Sequence, residues 1–143
     1  MTLGIPFLAA ALVAWQAPEG LDAVKAEPNP EKRSDLSLAL AQRQLDAAQK
    51  SYQSGELEAT RASFSRVRAA VALSWDSLVA TGKNPRKSPK YFKRAEIELR
   101  KMLRRLGEFR NAMSFDDRPM VEEVLQETQK THERLLNAVM SKQ

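Results

Sequence analysis

The residues with the types and spacing to do chemistry are few. His132 is the single histidine, and it sits in "ETQKTHE" with Glu127 five residues before it and Glu133 one after. A Ser-His-Asp arrangement would have to rest on this one imidazole, and a site that needs two histidines cannot be built. A di-metal helical site wants inward glutamates and a Glu-x-x-His pair; neither glutamate has that spacing. His132 with Met102, Met113 or Met140 leaves a haem-carrying helical protein as a distant alternative, although methionines at helical spacing otherwise serve as core filler. The chain has no Gly-rich phosphate loop, no H-E-x-x-H and no G-x-S-x-G. It also has no cysteine, which excludes disulfides, thiolate metal sites, a cysteine nucleophile and lipid attachment through cysteine. The expectation is a protein that is not an enzyme and carries no cofactor.

Charge is the stronger signal. "TGKNPRKSPKYFKRAE", Thr81 to Glu96, holds six cations before its first carboxylate, and Thr81 to Arg110 holds eleven Lys and Arg against three Glu. That segment is +8. The remaining chain is −3, which gives the overall +5. A basic cluster with nearby aromatic side chains, here Tyr91 and Phe92, is a candidate for anion recognition through Lys83, Arg86, Lys87, Lys90, Lys93 and Arg94. A solvated connector between helices would have the same composition.

The elements that position these residues follow from apolar spacing. With 143 residues, 43% hydrophobic and 29% charged, the chain is long enough for one core. It is poor in glycine and rich in Ala, Leu, Glu, Lys, Arg and Gln, residues that lose little side-chain entropy in helices. Alternating steps of three and four mark four stripes. The first is Leu38, Ala41, Leu45, Ala48 and Tyr52. The second runs Leu57, Thr60, Phe64, Val67, Val71, Ser74 and Leu78. The third, the clearest, is Phe92, Ala95, Leu99, Met102, Leu106, Phe109 and Met113, and the fourth is Val121, Val124, Thr128, Leu135 and Val139.

Helices are therefore expected at about 34–54, 56–80, 89–113 and 116–141. Ser34 or Asp35 should cap the first, Ser88 the third and Ser114 or Asp116 the fourth. Gly55 should close the first helix and Gly82 should follow the second. The fold class is all-α, an antiparallel up-down-up-down four-helix bundle. Two helical hairpins stacked at an angle, or paired between two copies of the chain, are the alternatives that long seams leave open. "YQSGELEATRASF" resembles the turn region of a tetratricopeptide hairpin through Tyr52, Gly55, Ala59 and Phe64. The resemblance covers 13 residues, has no second copy at the repeat spacing, and implies a tight αα-hairpin.

In this bundle Lys93, Arg94, Arg104 and Arg105 point outward or to one side. Glu96 can reach Arg100, and Glu108 can reach Arg104, at i, i+4 spacing. The last helix should bring Glu122, Glu123 and Glu127 to Arg104, Arg105 and Arg110. The six cations from Lys83 to Arg94 are then expected to lack partners, at an end that also gathers Lys32, Arg33 and Lys142.

The N-terminal seventeen residues, "MTLGIPFLAAALVAWQA", are uncharged, and their apolar run is shorter than the roughly 20 residues of a membrane-spanning helix. They are expected to be a secretory signal peptide cut near Ala14 or Ala17, with an uncleaved N-terminal anchor or a buried apolar strip as the alternative. Residues 18–33, with three prolines, then form a flexible linker. The protein is expected in the periplasm or outside the cell, as a structural or interaction module. Its partner would be a protein or an anionic surface such as lipid or cell-wall polymer, rather than nucleic acid.

Overall fold

The computed structural model describes residues 20–140; the expected signal peptide and Lys142 lie outside them. The described residues are helical, with no strand among them. The elements are α1 (Leu21–Lys25), α2 (Pro30–Gln53), α3 (Leu57–Ala80), α4 (Lys90–Ala112), a 3-10 turn (Phe115–Asp117) and α5 (Pro119–Met140). All four apolar stripes turn inward. Leu45, Phe64, Leu99 and Leu135 belong to one continuous cluster. In α4 every member of the stripe from Phe92 to Phe109 is buried, and Met113, just beyond the helix, is buried too. Leu57 is the exception, exposed at the first turn of α3.

The boundaries depart from expectation where prolines and side-chain caps compete. α2 starts before Ser34, because Asn29 Oδ1 accepts the amides of Glu31 and Lys32 and Pro30 occupies the first turn, where its missing donor costs nothing. Ser34 is buried inside the helix instead. Residues 20–33 are accordingly not a free linker: α1 and the first turn of α2 fall there, and Val24 is buried against the core. At α4, Pro89 precedes the helix and Ser88 does not cap it. Ser114 and Asp116 open the 3-10 turn rather than α5, and Pro119 begins that helix. Gly55 and Gly82 both take positive φ, 75° and 67°, as helix-closing positions do.

Hydrogen bonds and ion pairs fix which ends meet. The start of α2 meets the end of α3, since Arg33 Nε donates to Ser77 Oγ at 2.9 Å. The start of α4 lies toward the end of α5, through Glu96 and His132. α2 and α4 lie side by side with start near start and end near end. Asp35 pairs with Arg94, Asp46 with Arg105, and Tyr52 bonds residues just past α4. The most extensive packing is α2 on α3, followed by α4 on α5. α3 also packs on α5 and α2 on α4, whereas α3 and α4, consecutive in the chain, barely touch.

Candidate functional site

The basic loop occupies the end of the molecule where α3 stops and α4 begins. Its backbone is held by its own side chains: Thr81 Oγ1 accepts the amide of Lys83, and Asn84 Oδ1 accepts that of Arg86. The amides of Lys87 and Ser88 donate to the Asn84 carbonyl. These short-range bonds turn the chain between Pro85 and Pro89 and leave Arg86, Lys87 and Ser88 exposed.

Two of the six expected cations are engaged. Lys83 Nζ meets Glu31 at 2.9 Å, and Arg94 binds Asp35. Both carboxylates come from the first turns of α2, a source that helix-to-helix spacing alone did not name. Lys32 pairs with Glu27, and Arg33 bonds Ser77 and the Glu27 carbonyl, so these also leave the unpartnered set. Tyr91 lies between Lys90 and Arg94, whose cationic groups stand 5.4 and 5.2 Å from its ring centroid, while Phe92 is buried. Arg86, Lys87, Lys90 and Lys93 are exposed and make no ion pair among the described residues. The candidate surface is therefore narrower than the sequence implied. It keeps four charges, beside two others immobilised by carboxylates.

The acids of α5 serve other cations than expected. Arg68, on α3, takes Glu123 at 3.0 Å and Glu127 at 2.8 Å, and Arg105 turns to Asp46, Gln42 and Gln49 of α2. Only the Arg110–Glu122 contact, at 3.9 Å, matches the expected pairing. The hydrogen bond from Arg68 holds the Glu127 carboxyl below its ordinary value of 4.5, and the same bond raises Arg68. Because the folded-state value of Glu127 is depressed, the stability from this pair is fully present above about pH 4.5 and is lost as pH falls through the lower folded value. Both partners are part-exposed, so the contribution is at most about 1 kcal/mol. Urea titrations across the acid range should give a shallower loss of stability for Glu127→Gln than for the wild type; parallel acid limbs would rule this assignment out.

His132 finds a carboxylate that its own neighbourhood in sequence did not offer. Its Nε2 lies 2.7 Å from Glu96 Oε2, and both side chains are largely buried, at 14% and 17% exposure. Arg100 Nε closes on the same oxygen at 3.1 Å. Glu96 is thus shared between its i+4 arginine and a histidine 36 positions away, a proximity that only the α4–α5 packing creates. Met102 is fully buried in the core and Met140 is exposed. Among the described residues no group of three or more His, Asp or Glu side chains could hold a metal ion. The Glu96–His132 pair ties α4 to α5.

The surface clefts are shallow. One, of about 320 Å³, lies between α2 and α4 and is lined by Gln49, Tyr52, Gln53, Glu108, Phe109 and Ala112. Tyr52 there donates to Asp117 Oδ2 at 2.9 Å and accepts the Ser114 amide, which joins the α2–α3 turn to the α4–α5 turn. A second cleft, about 280 Å³, combines Trp75 and Ala72 with Asp76, Glu127, Lys130, Thr131 and Arg134. No protein-family model, curated protein or solved structure matches this chain.

Proposed function

We propose that this protein is an exported, non-enzymatic interaction module, built as an antiparallel up-down-up-down four-helix bundle, whose binding face for an anionic surface is its basic end. The observation that carries this reading is the set Arg86, Lys87, Lys90 and Lys93. Arg86 and Lys87 stand exposed on a loop braced by its own hydrogen bonds, and Lys90 and Lys93 stand exposed at the start of α4, all four without carboxylate partners among the described residues. Folding does not need them there, and two of them oppose the dipole at the start of α4, at a cost of a few tenths of a kcal/mol each. A braced loop also loses less freedom on binding than a slack one. The uncharged N-terminal run supports export.

The test is retention on immobilised polyphosphate as salt rises. The wild type should be held at low salt and released steeply. The variant carrying Arg86→Gln, Lys87→Gln, Lys90→Gln and Lys93→Gln should elute early, with a log–log salt slope smaller by roughly 0.7 to 0.9 for each phosphate no longer neutralised. Co-elution of the two proteins, with both still folded by circular dichroism, would remove the basic end as the binding face.

A further inference from the structure

The cations of the basic end do not stop at the loop. On α4, Lys90, Lys93, Ile97, Lys101 and Arg104 follow one another at steps of three and four, which sets them in one line along the helix, on the side opposite its buried stripe. Every exposed charged residue from Lys90 to Arg104 is a cation, and the first exposed acid of the helix is Glu108. The other long helices differ. α2, α3 and α5 each expose both signs, Asp46 with Lys50, Asp76 with Arg66, and Glu133 with Arg134. At about 1.5 Å per residue the line on α4 is about 21 Å long, and the loop carrying Arg86 and Lys87 adjoins its first turn. Glu96 and Glu98 are the acids within this stretch, and both are turned aside. In the Arg100–Glu96 pair the arginine side chain is 59% exposed and the glutamate 17%; in Lys101–Glu98 the figures are 60% and 33%. Each pair therefore offers its cation outward. Lys90, Lys93 and Arg104 make no ion pair among the described residues.

We infer that the partner of this end is a linear phosphate polymer, laid along the outer face of α4 from the loop to Arg104. The inference rests on the anionic-surface reading above and names the chemistry of that surface. A compact anion would touch one turn of the line and leave the rest unused. A broad anionic surface laid across this side would also meet exposed acids of the two helices packed beside α4, Asp46 on α2 and Glu133 on α5. A chain as narrow as one helix face avoids them. Phosphate polymers carry their charge in the backbone, at every unit, so a single line of Lys and Arg can neutralise successive units. Each neutralised phosphate releases counterions, and affinity grows with the number of units engaged.

The test is the affinity of the full chain for long-chain polyphosphate, with triphosphate and polyglutamate as comparison ligands. Arg104 lies at the far end of the line from the loop and has no partner to lose, so Arg104→Gln leaves the fold intact, as circular dichroism should verify. This one change should weaken long-chain binding about fivefold at about 0.1 M salt and lower the log–log salt slope by roughly 0.7. Triphosphate, too short to reach from the loop to Arg104, should bind both proteins alike. Arg66→Gln removes the same charge from the exposed face of α3 and should change little, because fields from charges off the line are screened within about 10 Å at this salt. Equal losses in the two variants, or no loss in either, would overturn the line along α4. Polyglutamate bound as tightly as polyphosphate would overturn the phosphate assignment. In either case the anionic-surface reading stands if the quadruple glutamine variant still elutes early, and both readings fall if it does not.

Discussion

Phe64→Ala is expected to lower the unfolding free energy by about 4 kcal/mol, within the range for a fully buried aromatic side chain. Phe64 lies at the far end from the basic loop, where its ring packs 5.1 Å from that of Phe109 with planes tilted by 58°. Phe109 in turn meets Tyr52 at 5.8 Å. The three rings come from α3, α4 and α2, and Phe64 also lines a cleft together with Met120 and Val124 of α5. Removing it takes away tilted aromatic contacts as well as buried area, and leaves a cavity that four helices would have to close. Denaturation followed separately by helical circular dichroism and by tryptophan fluorescence should give one coincident transition at lower denaturant. Separate transitions, or a loss below about 1 kcal/mol, would mean that the helices around this ring do not unfold as one unit.

Leu99→Ala should cost about 3 kcal/mol and Leu99→Met less than about 1.5. Leu99 has no exposed surface and stands midway along α4, on the side away from the charges. Alanine removes transfer energy and adds a void, at about 24 cal/mol for each Å³ that does not collapse. Methionine keeps most of the volume and bends to fit. The contrast separates volume from helix propensity, since alanine is the better helix former and on propensity alone would stabilise. The measurement is the denaturation midpoint at unchanged slope; equal midpoints for the two variants would place Leu99 outside a close-packed core.

The helices were legible because their signal is local. A stripe with steps of three and four is a property of neighbouring residues, and the stripes at Leu38–Tyr52, Phe92–Met113 and Val121–Leu135 bury as their spacing requires. Helix starts were less legible. At residues 29–35, Asn29 and Pro30 compete with Ser34 and Asp35 to begin one helix, and the earlier pair wins by offering a side-chain acceptor followed by a proline. α1 was missed because five residues between prolines and glycine carry no period. It is stabilised by burying Val24 on other helices rather than by its own propensity.

The charges show where local reading stops. Glu96–Arg100 lies within one helix and was foreseeable. Lys83–Glu31, Arg94–Asp35, Arg105–Asp46, Arg68–Glu127 and Glu96–His132 join residues 36 to 59 apart, and each depends on which helix lies beside which. Stripes say that a helix has a neighbour without saying which, because every apolar face suits every other about equally well. The sequence by itself determined an all-helical chain, its inward residues, the absence of cysteine chemistry and the concentration of cations between Lys83 and Arg94. Tertiary packing alone decided that α2 lies along α4, and so which of those cations are neutralised. Ion pairing acts over a few ångströms between side chains, and such distances exist only once the helices have packed.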